Sequence, residues 1–176
     1  LEKKSAYEAV YRPSGQDLTF SLLGALGLIA GCVLSFRGSI AQMLVSLLGL
    51  LAGLSLGAGA VLRWKKKKPS AAFSVFVVLF YVAKLFRDFR HWEINPAILD
   101  YCFSLFAMIA FMLASYHAGA FSFERGARRR LAFYSLLGVL FGAISLAGAQ
   151  LPELLIYAGS VFWMLACAQQ MLRRSV

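Results

Sequence analysis

The sequence predicts an all-α polytopic membrane protein, a bundle of six transmembrane helices with both termini on the cytoplasmic side. Three observations carry that expectation. Apolar residues make up 60% of the 176 residues, above the roughly 45–50% of soluble domains. They gather into six long runs, each near the roughly 20 residues that an α-helix needs to cross a bilayer. The 18 lysines and arginines stand mostly between these runs, sorted alternately. With six spans and their links the chain holds one transmembrane domain, residues 18–176, preceded by a cytoplasmic segment, 1–17.

In that first segment Tyr7, Val10 and Tyr11 recur at helical spacing beside Glu2, Lys3, Lys4 and Glu8, which predicts a short amphipathic stretch on the membrane surface. Pro13 and Gly15 interrupt it, and Asp17 offers an N-cap for the first span, residues 18–36. This polar opening ahead of a full-length span is not the pattern of a cleavable signal peptide. Arg37-Gly38 leaves room only for a tight hairpin into the second span, 39–62. Arg63, Trp64, Lys65 to Lys68 and Pro69 end that helix with a basic plug and an interfacial tryptophan.

The third span is expected at 71–91. Asn95-Pro96 reads as a cap followed by proline in the first turn, starting the fourth span at 97–118. The basic loop ERGARRR precedes the fifth span, 131–149. A short turn through Gln150, Pro152 and Glu153 leads to the sixth, 154–172, which ends at Arg173 and Arg174. Sorting the 18 basic residues by alternate link puts fourteen on one side and four, Arg37, Lys84, Arg87 and Arg90, on the other. Cytoplasmic flanks carry the basic excess, so both ends are expected inside, in a bacterial plasma membrane.

Lipid tails offer no hydrophobic drive between helices, so backbones approach where residues are small. Gly49, Gly53 and Gly57 repeat every four residues along the second span. Gly24, Gly27 and Gly31 mark the first, and Gly138 and Gly142 the fifth. These glycine-bearing helices are expected to form the tightly packed part of the bundle. The same pattern drives dimers, so a second copy or a partner membrane subunit is an expected associate, with anionic lipid headgroups at the cytoplasmic basic loops.

Function has one place to concentrate, the stretch YVAKLFRDFRHWEINPAILDY from Tyr81 to Tyr101. On a helix Tyr81, Lys84, Asp88 and His91 share a stripe, with Arg87 adjoining. Lys84 lies a turn or more inside the boundary, where a central charge costs about 2.5–3.5 kcal/mol on insertion scales. The expected partner of Lys84 or Arg87 is Asp100, at similar depth on the antiparallel fourth span. The ligand-binding candidates are therefore Lys84, Arg87, Asp88, Arg90, His91, Glu93, Asp100 and Tyr101, with Gln42 near the outer end of span two.

Other classes find little support. Cys32, Cys102 and Cys167 each fall in a span without CxxC spacing, which reads as small buried side chains and not as a zinc site or a disulfide framework. H-E-x-x-H and a phosphate-binding glycine loop are absent. No cofactor or nucleic acid is implied, since the positive charge sits at the ends of apolar runs. The balance is against an enzyme; an intramembrane one would have to use Asp100, Glu93 and His91.

The leading expectation is a protein that binds or passes a small anionic or zwitterionic solute, or a lipid headgroup, in the outer half between spans two, three and four. An accessory or structural subunit is the second reading. In helix number, length and orientation the chain resembles the small-solute-binding subunits of vitamin uptake transporters, a likeness of fold alone.

Overall fold

A computed structural model describes residues 14–36, 39–67, 69–92, 98–123 and 125–172, with residues 91–92 and 98–100 described in their backbone only. Within them the chain is helical and without strands. Six helices follow in order: α1 (Gly15–Leu34), α2 (Ile40–Trp64), α3 (Ala71–Trp92), α4 (Ile98–Ala120), α5 (Arg128–Ser145) and α6 (Leu151–Leu172). The expected surface stretch around Tyr7, the Arg37-Gly38 and Asn95-Pro96 links and the terminal Arg173-Arg174 lie outside the described residues.

Five of the six, all but α3, are long and apolar enough to cross a membrane. α3 has the length, at 22 residues, but its second half carries Lys84, Arg87, Asp88 and Arg90. Those charges separate it from the other five.

Several ends differ from the sequence reading, each for a local reason. α1 begins at Gly15 with Ser14 in the capping position, so Asp17 sits in the first turn instead of before it. A carboxylate there still favours the positive end of the helix dipole. Ser39 starts α2, its hydroxyl accepting from the Gln42 amide at 3.4 Å. α5 absorbs Arg128 to Arg130 into its first turn because Arg128 donates to the carbonyl of Met171, in the last turn of α6. α6 begins at Leu151, and Pro152 fits its first turn, where the missing N–H is not required.

Consecutive helices are neighbours throughout, and α6 returns to pack along α1, closing a ring. Links this short make each neighbouring pair antiparallel. Two contacts show which links share an end: Ser122 Oγ donates to Pro69 O at 3.3 Å, and Arg128 reaches Met171 O. The basic stretches around Lys65 and Arg129 therefore lie at one end of the bundle.

The ring has no hollow middle. Phe80, Tyr81, Met108, Phe111 and Met164 are almost wholly buried there, and the Tyr81 and Phe111 rings meet at 5.5 Å between centroids. Leu26, Leu54, Phe106 and Leu140 point outward and are exposed.

The closest backbone approach joins α1 to α6. A Cβ on Gly24 would stand 2.8 Å from Gly159 O, one on Gly27 would stand 2.8 Å from Gly159 Cα, and one on Gly31 would stand 2.8 Å from Pro152 O. Gly159 was not part of the expected set. Gly49 and Gly53 of α2 face Cys32, Phe80 and Ile29, while a side chain on Gly57 would make ordinary contact with Ala25. Contrary to expectation, α5 is not packed with α1 and α2: it lies between α4 and α6, and its Gly138 and Gly142 make room for the Phe111 ring.

Candidate functional site

α3 reaches across the ring to α6 through a ladder of polar contacts. At its base Tyr81 and Ser160 hydroxyls meet at 2.8 Å. Ser160 Oγ also donates to its own helix at Ile156 O, 2.7 Å away. A hydroxyl has one hydrogen, so Tyr81 is the donor to Ser160. One turn further along α3, Lys84 Nζ is 2.7 Å from Asp88 Oδ2 and lies 5.9 Å from the centre of the Tyr157 ring. Arg87 Nε donates to Asp88 Oδ1 at 2.8 Å, and its outer nitrogen lies 3.8 Å from Glu153 Oε1.

Burial on α3 is inverted relative to a soluble helix. Lys84 is 1% exposed and Asp88 4%, whereas Phe86 is 68% and Phe89 53% exposed. Two charges taken out of water are tolerated only when paired and hydrogen-bonded. Asp88 meets that condition by receiving both Lys84 and Arg87.

A cavity of about 240 Å³ opens beside this ladder, at the end away from the basic links, between α1, α2, α3 and the start of α6. Lys84, Arg87, Gln42, Ser46, Gln150 and Glu153 supply its polar wall, and Phe80 and Ile156 its apolar floor. Two cations face one carboxylate, with amide and hydroxyl donors between them. Such a wall can hold an acidic group near Arg87 and an ammonium near Glu153.

A second cavity, of about 30 Å³, lies toward the basic end, where Ser55, Arg63, Ser74, Ser122 and Trp163 contribute to its lining. That volume suffices for about one or two waters. Along α3 Val77 borders the inner cavity and Phe80 and Lys84 the outer. Tyr81, hydrogen-bonded to Ser160 and fully buried, lies between Val77 and Lys84 in sequence and lines neither cavity.

The cavity thus brings together three of the sequence candidates, Gln42, Lys84 and Arg87, with Asp88 buried behind them. Arg90 is exposed and Tyr101 half-buried; neither lines the cavity. The side chains of His91, Glu93 and Asp100 lie outside the described residues, so the expected Asp100 contact is not among those seen. Among the described residues Lys84 and Arg87 pair with a carboxylate on their own helix, Asp88. Glu153, Tyr157 and Ser160 are additions that the sequence reading passed over. Their spacing of four and three residues along α6 was the available signal.

Among the described residues no three His, Cys, Asp or Glu side chains converge as a metal site would require, and none of the three cysteines is in a disulfide. The chain matches no protein-family model, no curated protein and no solved structure.

Proposed function

We propose that this protein is a six-span membrane protein that binds a small anionic or zwitterionic solute in the cavity walled by Lys84, Arg87, Gln42 and Glu153. One observation carries the reading: a polar cavity with charges of both signs, set into the end of an otherwise apolar bundle. Its volume of about 240 Å³ falls below the roughly 300–1,000 Å³ of sites for drug-sized ligands. A small carboxylic or amino acid, or a compact phosphate, matches that size. The site sits between spans one, two, three and six, a shift from the expected spans two, three and four.

The crossing of α3 is supported by its inverted burial, with phenylalanines outward and Lys84 and Asp88 inward, the arrangement that a lipid solvent selects. Gathering of the basic links at one end supports a cytoplasmic placement for that end and an outward-facing cavity. A plasma membrane, and transport as opposed to binding alone, belong to this same proposal.

A scaffold reading is favoured by a different observation, the 2.7 Å Lys84–Asp88 pair, which neutralises α3 without any ligand. Melting of the purified protein against small carboxylates, phosphates and amino acids separates the two. Solute binding requires that at least one class raise the melting temperature of the wild type and have no effect on Arg87→Gln. If no class does so, or if Arg87→Gln responds equally, the cavity is structural.

A further inference from the structure

A groove of about 690 Å³, larger than the polar cavity, lies at the opposite, basic end, between the first half of α3, the end of α4 and the start of α5. Val75, Val78 and Leu79 form an apolar wall, and Arg125 and Arg130 stand at its rim with His117. Val75 and Leu79 are exposed, as are both arginines. The geometry of the rim is held from behind. The His117 ring stacks on Tyr134 at 5.2 Å and 7°, and Phe121 is buried in the short 3₁₀ turn joining α4 to α5.

An apolar trough leading to a cationic rim has the amphipathic form of a phospholipid. The groove's volume lies within the range of sites that enclose whole ligands. Its lining includes two arginines and no acid among the described residues. Guanidinium groups bind phosphate through paired N–H donors, and basic residues beside the cytoplasmic surface attract anionic lipids.

Building on the membrane reading above, we infer that this groove holds an anionic phospholipid of the cytoplasmic leaflet. One acyl chain runs along Val75, Val78 and Leu79, and the headgroup phosphate lies between Arg125 and Arg130. The site is separate from the polar cavity and on the other side of the bilayer.

The test uses the whole protein in nanodiscs of equimolar phosphatidylglycerol and phosphatidylcholine, with retained lipid counted by native mass spectrometry. The wild type should retain phosphatidylglycerol preferentially. Replacing both rim arginines, Arg125→Gln with Arg130→Gln, should lower that preference about 25-fold, since each basic contact near the surface contributes roughly fivefold. Lys66→Gln with Lys67→Gln removes the same charge at the same end outside the groove and should leave the preference within a fewfold of wild type. Val75→Trp fills the trough from an exposed position and should reduce retention of both lipids.

Equal retention of the two lipids by the wild type overturns the inference. So does an equal loss in the lysine control, which would mark a diffuse surface effect. Response of the wild type to small solutes is read separately by melting, so failure at the groove leaves the polar cavity's own test standing.

Discussion

Asp88 accepts from Lys84 and Arg87 at once, so its removal strands a lysine that is 1% exposed. Breaking a buried pair from one side costs about 3–5 kcal/mol, while replacing both partners with apolar groups of similar size is often neutral or stabilising. Asp88→Asn should therefore lower the melting temperature sharply, and Lys84→Met combined with Asp88→Leu should recover most of the loss. Additive losses in the double variant would contradict the pairing. Tyr81 makes a gentler case. Tyr81→Phe removes a donor but leaves Ser160 bonded to Ile156 O, so the expected cost is about 0.5–1.5 kcal/mol, read by denaturant titration. The stripe through Tyr81, Lys84 and Asp88 was legible because helical spacing aligns it. The Lys84–Asp88 pair lies along that stripe at i, i+4, whereas the expected contact with Asp100 falls outside the described side chains.

Helix existence followed from apolar runs bounded by charge, but helix partners did not, because partnership is decided by shape across the bundle. The glycine repeats of α1 were visible, while the residue that they meet, Gly159, stands alone in its helix without a repeat to mark it. α5 shows the converse: Gly138 and Gly142 resemble a backbone contact in sequence, yet they accommodate the Phe111 ring. These assignments make opposite predictions for two glycines. A Cβ on Gly159 would lie 2.7 Å from both Gly24 O and Leu28 N, so Gly159→Leu should force α1 and α6 apart at about 1–3 kcal/mol or more. Gly59 has nothing within 4 Å of such an atom, so Gly59→Ala should be neutral or stabilise by up to about 1 kcal/mol through helix propensity. Melting of the two variants side by side distinguishes them.

For the molecule as a whole, the number of crossings decides which face each link meets. With α3 across the bilayer, Lys66 and Arg125 share a side; with α3 outside it, they fall on opposite sides. Single cysteines placed at these two positions, in a background where Cys32, Cys102 and Cys167 are serine, should react with an impermeant thiol reagent from the same side of intact vesicles. Reaction from opposite sides would remove α3 from the membrane and with it the depth assigned to Lys84. The sorting of basic residues made the gathering of the Lys65 and Arg129 stretches at one end of the bundle readable. Nothing comparable foretold the ring's closure of α6 on α1, which is what brings Glu153 and Ser160 opposite α3.

The same charges bear on how the chain is made. A segment bearing Lys84, Arg87, Asp88 and Arg90 meets a steep penalty if released singly into hydrocarbon, and it cannot yet lean on α6, its partner across the ring, which is synthesised after it. During biogenesis α3 is therefore expected to linger at the insertion machinery, shielded by α2 or by an assisting factor. Only completion of the α5–α6 hairpin gives Tyr81 its acceptor and Arg87 its second carboxylate. Chains truncated before Leu151 should consequently be retained or degraded, a defect that pulse-chase of nested C-terminal deletions would register as an abrupt gain in half-life once α6 is included.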